Sequence, residues 1–402
     1  MAIGSKWVCK VKLNPDDSVD RYKARLIAKG FHQVEGIDYF DSFSPVAKIV
    51  TVRIFLAIAT SKSWPIHQLD INNAFLHGYL DEDIYMQPPE GHTSNSFVAL
   101  LVYVDDVLLT GTLEADIISV KQHLDKLFTI KDLGCAKYFL GLEIASSSSG
   151  IVLNQRKYIL DILTDTGLVG AKPTKTPFPK GQKLCANKGP PLAETERYRR
   201  FVERLLYLNI SRTYISYSVQ QLSQFVNSPC QSHWEAAMHL LRYLKSCHSK
   251  GLFYPTDNSL HLEAFSDVDW ASCSETRKSL TSFCISLGLA LISWKTKKQT
   301  AVSRSSAEVE YRSLAATVCE LQWISYVLKD FGIQLKLSIL LWCDNQAALH
   351  ITVNPVFRER TKHLDIDCHL VREQFKQGCI NPQHISTHNQ VVDVFTKPLF
   401  GP

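Results

Sequence analysis

Residues 99–111, ALLVYVDDVLLTG, set two strongly apolar runs on either side of Asp105 and Asp106. An Asp-Asp pair between strands is ordinarily a hairpin turn, because aspartate tolerates turn backbones. Here neither run alternates, so both read as strands buried on both faces. Two carboxylates at a buried hairpin tip are costly unless paired or metal-bound. Working outward, the stretch HQLDINNAFLHGYL (67–80) ends another apolar strand on a third carboxylate, Asp70. Three aspartates on adjacent strand ends make a hard, oxygen-rich site suited to Mg²⁺. Two such ions can activate an attacking hydroxyl and stabilise the leaving oxygen of an in-line phosphoryl displacement. Phe75, five residues beyond Asp70, is close enough to line the same pocket, although such an aromatic is also an ordinary core residue.

Upstream, WVCKVKLNPDDSVDRYKARLIAKGF reads as a basic hairpin turning at Asn14-Pro15-Asp16-Asp17. Its lysines and arginines suit either solvent or phosphate. VRIFLAIATS predicts a helix leading to a strand at 66–71, and a helix over 114–127 follows the Asp105–Asp106 hairpin, then strands through Leu153. Residues 170–192 gather Pro173, Pro177, Pro179, Pro190 and Pro191 with Gly181 and Gly189, a linker composition. Helical spacing returns over 197–225 and 232–246. From His261 the order becomes three strands, helix, strand, two helices, strand, helix, with strands near 261–267, 281–288, 289–295, 337–343 and 379–386. Ser305 and Glu308 fit a capping box. The stripe of Tyr311, Leu314, Ala315, Val318 and Leu321 that follows suits a helix packed on a mixed sheet.

The 402 residues carry 44 basic and 39 acidic side chains, a net charge of +5, with 45% hydrophobic and 10% aromatic residues. That balance excludes a disordered chain and suits two to three domains. No uncharged apolar run approaches the ~20 residues a membrane helix needs. The start, MAIGSKWVCK, has lysines where a secretion signal needs apolar residues. Eleven cysteines include no CxxC pair, so they read as reduced thiols of an intracellular protein.

A second acidic set lies in the later sheet: Asp267 at a strand end, Glu310 on the capped helix, Asp344 after LSILLW, and Asp393 opening the last helix. Each alone has an ordinary explanation: Glu310 and Asp393 as first-turn acids, Asp344 in CDN as an N-cap. Yet Glu310 precedes the core position Leu314 by four, which borders the buried face. Carboxylates from two strand ends, a helix face and a helix start can converge at one sheet edge, where they would repel without divalent cations. Lys295, Lys297, Lys298 and Arg304 make a basic stretch that suits either a nucleic-acid backbone or solvent.

The blocks RYKARLIAKGFHQVEGIDYFDSFSPVAK, QLDINNAFLHGYL, YVDDVLLTG and KDLGCAKYFLGLEI resemble the reverse transcriptase of copia-type retrotransposon polyproteins. SDVDWASC, LISWKTKKQTAVSRSSAEVEYRSLA, CDNQAALHI, TKHLDIDCHLVRE and VVDVFTKPL resemble the ribonuclease H domain of the same family. The resemblance implies an α+β chain. Residues 1–180 would be polymerase fingers and palm, 181–255 a helical thumb or connection, and 256–402 a ribonuclease H-like mixed sheet with flanking helices. It implies that Asp70, Asp105 and Asp106 hold the polymerase metals, and that Phe75 rejects a ribose 2′-hydroxyl. Tyr103 would pack near the primer end, and Arg25 and Lys29 would touch template and triphosphate. Asp267, Glu310, Asp344 and Asp393 would hold two Mg²⁺ ions, as in the polymerase site, to cleave the RNA of an RNA–DNA hybrid; His388, five residues before Asp393, suits either product release or an ordinary surface position. The implied partners are an RNA template, a DNA primer, the hybrid and dNTP, with no membrane. The implied location is cytoplasmic particles, with a nuclear step allowed.

Two departures stand out. Only 35 positions separate Asp70 from Asp105, and IYMQPPEGHTSNS runs straight into FVALLVYVDD. The family carries a further block there, of the form KSLYGLKQAPR, on a helix that supports template and incoming base. The palm is therefore internally shortened between Gly91 and Phe97, and DNA synthesis should be weak or absent. SRTYIS (211–216) has Tyr214 where the family has an acid. The chain also begins inside the fingers, without the protease and integrase of a full polyprotein. The competing expectation is a decayed remnant that binds nucleic acid and catalyses nothing.

Overall fold

The computed structural model describes residues 5–13, 18–28, 48–71, 96–186, 189–335, 338–354 and 365–399. They fall into two compact units, Met1–Val46 and Ala47–Pro402. In the first, β1 (Ser5–Leu13) and β2 (Val19–Ala28) pair antiparallel, from Ser5 opposite Ala28 to Lys12 opposite Arg21. The alternating sequence supplies the two-residue period such a ladder needs. Arg25 sits opposite Val8; Lys29 and the turn at 14–17 lie outside the described residues.

The second unit opens with α1 (Ile49–Ser61), whose residues 52–60 are all buried. It leads to β3 (Ile66–Ile71), and β4 (Val98–Tyr103) and β5 (Asp106–Gly111) flank the aspartate turn. After α2 (Glu114–Leu127), β6 (Ile130–Cys135) completes an antiparallel sheet of order β4-β5-β3-β6. The doubly buried reading holds for β5 and fails for β4. Leu101 faces the core, but Leu100 and Val102 are 45% and 46% exposed. A strand at a sheet edge can leave alternate residues open however apolar they are.

β7 (Tyr138–Phe139), β8 (Leu142–Ser147) and β9 (Gly150–Asn154) form a second sheet that β10 (Leu252–Pro255) joins beside β9. Between β9 and β10 lie α3 (Arg156–Asp165), the proline-rich stretch, α4 (Thr195–Leu208), α5 (Ser216–Ser223) and α6 (Gln231–Ser246). The helical spacing over 197–225 is therefore two helices, parted by a short turn at Thr213–Ile215. At that break Arg212 is fully buried and donates to Tyr214 Oη (2.8 Å) and to the carbonyls of Cys247 and His248. The phenol at position 214 thus faces the buried guanidinium.

The third sheet contains β11 (Leu262–Asp269), β12 (Leu280–Leu287), β13 (Ala290–Lys298), β14 (Ile339–Cys343) and β15 (Ile380–His384), in the order β13-β12-β11-β14-β15. The first three are antiparallel, and β14 and β15 run parallel to β11. The helices of this region are α7 (Ser306–Asp330), α8 (Gln346–Val353), α9 (Asp365–Lys376) and α10 (Asp393–Thr396). Ser305 caps α7 by accepting Glu308 N–H, and the Glu308 carboxylate takes Arg304 N–H and pairs with Arg312. The expected stripe of α7 is buried throughout.

One hydrophobic core joins α7, β12 and β14 to α1 and to Leu101 and Leu108 of the first sheet. A helix apolar on every side belongs inside a protein. Its one cation, Arg53, stays with it: the guanidinium lies 3.6 Å over the Trp294 ring and donates to the Ile292 and Ile210 carbonyls. Burial lowers its pKa to about 10, which leaves it charged at neutral pH.

Candidate metal centres

In the first sheet the antiparallel register sets Asp70 opposite Asp106, and Asp105 lies in the turn, its carbonyl accepting Ile71 N–H at 2.8 Å. All three aspartates are half-buried, and Tyr103 is opposite Asp106 on the other side. Like charges directly across a ladder repel. Burial first, then Asp70 and Asp105, raise the Asp106 pKa against a hydrogen bond from Gln68. The turn backbone is strained: Val104 has φ 56°, a left-handed value that suits glycine and not a β-branched residue. Phe75 lies outside the described residues, as does Lys29, so the nucleotide-contacting set is not assembled among those described.

The second set comes from four elements of the third sheet and its helices. Asp267, near the end of β11, is 3% exposed and accepts Thr396 Oγ1–H from α10 at 2.8 Å. Burial pushes its pKa up to about 6, helped by Asp344 and Asp393 and opposed by Thr396 and Lys397. Glu310, 5% exposed on α7, accepts the Val268 N–H. Burial, then Asp267 and Asp344, raise it to about 9, so without a cation it is protonated at neutral pH. Asp344 follows β14 and accepts Thr387 Oγ1–H at 3.1 Å. It does not cap α8: Asn345 does, taking Ala348 N–H, which leaves the Asp344 carboxylate to the cluster. Asp393 opens α10 and pairs with Lys397 at 2.7 Å. Burial works against the Lys397 charge, but Asp393, Asp267 and Asp269 outweigh it and raise its pKa.

Glu310 lies in the second turn of a buried face, so the helix dipole does not account for it. Its carboxylate, the Cys343 thiol and Asp344 place one ligand atom each within 4.8 Å of one another, the group of that kind found among the described residues. Burial and Glu310 push the Cys343 thiol well up. Carboxylate oxygens from a strand end, a helix face and a second strand end suit a hard divalent cation.

The residues that hold this arrangement escaped sequence reading. Thr396 fixes Asp267, Gln390 donates to the Ser266 carbonyl, and Lys397 neutralises Asp393. All three lie in the stretch 390–397, whose only sequence signal is proximity to Asp393. The basic stretch is not one patch. Lys295, Lys297 and Arg304 are exposed, whereas Lys298 donates to Gln224 and to the Cys273 thiol at 2.9 Å each. Burial would raise Cys273, but Lys298 and neighbouring donors bring it down to about 7. His388 is exposed and contacts Asn389.

Residues 1–97 and 91–180 match the family model for reverse transcriptase (RNA-dependent DNA polymerase) as two matches that overlap at 91–97. The chain is 39% identical to the retrovirus-related Pol polyprotein from transposon RE1 of Arabidopsis thaliana, over 99% of this chain and 31% of that protein. That alignment runs over 449 positions against the 402 residues here, so the relative has positions without a counterpart. A Saccharomyces cerevisiae protein assigned to transposon Ty5-1 is 33% identical over 57% of this chain and 75% of its own length. A ribonuclease H1 crystal structure from Halobacterium salinarum overlaps 33% of this chain and 90% of its own, at 14% identity and a TM-score of 0.24. That overlap is too slight to weigh. The chain spans about a third of the length of the Pol polyproteins it matches.

Proposed function

The chain belongs to the copia-type retrotransposon Pol family, and from that premise we propose that it cleaves the RNA strand of RNA–DNA hybrids at Asp267, Glu310, Asp344 and Asp393. The observation that carries this reading is the pairing of two almost fully buried carboxylates, Asp267 and Glu310, with Asp344 beside them. Such a group is costly on its own and is relieved by cations. The donor set fits Mg²⁺, with those four carboxylates as its holders. When bound, two such ions would supply the charge that activates water and stabilises a leaving 3′ oxygen. The chain's own side chains do the positioning: Thr396 orients Asp267, Thr387 orients Asp344, and Lys397 pairs with Asp393. Lys295, Lys297 and Arg304, exposed, meet backbone phosphates.

The polymerase part of the proposal is weaker in activity. Asp70, Asp105 and Asp106 would hold the metals for dNTP addition, with Phe75, Arg25 and Lys29 at the nucleotide, on an RNA template and a DNA primer. The two-segment family match and the unmatched positions of the longer relative agree with a shortened palm. Phosphoryl transfer depends on positioning, and small misplacements are costly, so DNA synthesis is weak or absent. The functional division follows as 1–180 fingers and palm, 181–255 thumb or connection, and 256–402 ribonuclease H.

The test incubates labelled hybrid with the purified chain and Mg²⁺ beside Asp344→Asn. Wild type cuts the RNA strand, and the variant loses on the order of 10²–10³ in rate, the scale for a preorganised charged group. A wild type that leaves the hybrid intact replaces this reading with a non-catalytic remnant. Mg²⁺-dependent extension of a DNA primer on RNA would overturn the impaired-polymerase half.

A further inference from the structure

The carboxylate cluster contains a donor that a hard-cation site does not need. Cys343, the last residue of β14, is fully buried, and its sulfur lies 4.0 Å from Glu310 Oε2. One ligand atom each from Glu310, Cys343 and Asp344 falls within 4.8 Å of the others. The Asn345 N–H donates to the same sulfur at 3.4 Å, the kind of amide contact that steadies a metal-bound thiolate.

We propose that Glu310, Cys343 and Asp344 form a site for a soft divalent cation of the zinc and cadmium class, which displaces the hard cation and inhibits the hydrolytic centre. Zinc takes Cys sulfur at about 2.3 Å and carboxylate oxygen at about 2.0–2.2 Å in a tetrahedron, which sets donors ~3.5 Å apart. The three donors lie within 4.8 Å of one another, the sulfur 4.0 Å from Glu310 Oε2, so binding draws them somewhat closer. Three protein ligands leave the fourth position to water. Sulfur is the discriminating atom, because thiolate prefers Zn²⁺ and Cd²⁺ whereas carboxylate and water suit Mg²⁺. On binding, the thiol proton and the Glu310 carboxyl proton both pass to solvent as the sulfur–metal and oxygen–metal bonds form.

The proposal rests on the ribonuclease reading only in placing Mg²⁺ at Glu310 and Asp344. The test uses full-length, metal-free protein whose accessible thiols, Cys135, Cys319 and Cys379 among them, have been alkylated under native conditions. Burial protects Cys343 from that step. Cd²⁺ is then titrated and the ultraviolet sulfur-to-cadmium charge-transfer band recorded. One equivalent produces the band, Mg²⁺ in excess reverses it, and Cys343→Ser loses it. Asp344→Asn and Glu310→Gln each weaken cadmium at least ~10-fold, the low end of what even an outer partner costs. Asp344 is half-exposed and its change isosteric, so that arm reads out even if Cys343→Ser fails to fold. A band missing from wild type, kept in Cys343→Ser, or indifferent to both carboxylate variants overturns the site. Hybrid cleavage in Mg²⁺ without the band overturns the soft site alone; the band without cleavage overturns the ribonuclease reading alone.

Discussion

The two acidic centres solve one problem differently. Asp70, Asp105 and Asp106 sit on neighbouring strands of one small sheet, half-buried, with two of them adjacent in sequence. Asp267, Glu310, Asp344 and Asp393 come from four elements spread over 126 positions, and two of them are almost fully buried. The first centre is local, its register set by the pairing of neighbouring strands alone. The second is non-local and depends on the whole third sheet closing around it. Its charge is also costlier, since burial raises Glu310 to about 9, whereas Asp106 is half-buried and also raised.

That contrast breaks most visibly under neutralisation. Glu310 and Asp267 have folded pKa values above their ordinary ones, so the folded chain binds more protons than the unfolded chain between about pH 4.5 and 9. Metal-free stability is therefore full below that window and falls as pH rises through it. Glu310→Gln removes the burden and is expected to stabilise the metal-free chain at pH 8 by roughly 5 kcal/mol, about 3.5 pH units above the ordinary value at ~1.4 kcal/mol each, with no gain near pH 4. Saturating Mg²⁺ reverses the sign, because the ion stabilises only the carboxylate form. Asp106→Asn changes much less under the same denaturant titration. Equal gains from the two variants would erase the distinction between the centres.

The expected strands, the 114–127 helix and the Ser305 cap were legible because their signals are local: alternation, apolar runs and a hydroxyl three residues before an acid. All seven acids were nameable for a different reason, their fit to family blocks. What stayed hidden is tertiary. Arg53 in an apolar helix gives no hint of Trp294, 241 positions away. The exposure of Leu100 and Val102 depends on β4 lying at a sheet edge, which no run of apolar residues reveals. Nothing in the sequence around Thr396 signals its role, because its partner, Asp267, is 129 positions upstream.

That last contact sharpens the comparison at the second centre. Thr396→Val keeps the side-chain shape and removes the 2.8 Å hydrogen bond to a buried carboxylate. The loss is expected to be about 1.5–3 kcal/mol above pH 6, the range for a bond to a charged group, and smaller in acid where Asp267 is protonated. Hybrid cleavage falls as Asp267 loses its orientation. An unchanged unfolding midpoint at both pH values would show that α10 is not latched through this bond.

The smallest effect is expected at the first centre, where the strain is in the backbone and not in the charge. Val104 occupies the two-residue turn between Tyr103 and Asp106 with φ 56°. A β-branched residue there costs of order 1–3 kcal/mol, whereas glycine adopts the conformation freely but carries an unfolded-state entropy cost of roughly 0.5–1 kcal/mol. The net expectation for Val104→Gly is a stabilisation of about 1 kcal/mol, read as a raised denaturant midpoint at unchanged slope. Val104 is 43% exposed, so little buried contact is lost to offset the gain. Because the turn is local, hybrid cleavage at the distant centre stays at the wild-type rate. A destabilised variant would mean that the Val104 side chain is held by packing, and that the hairpin is supported by more than its own register.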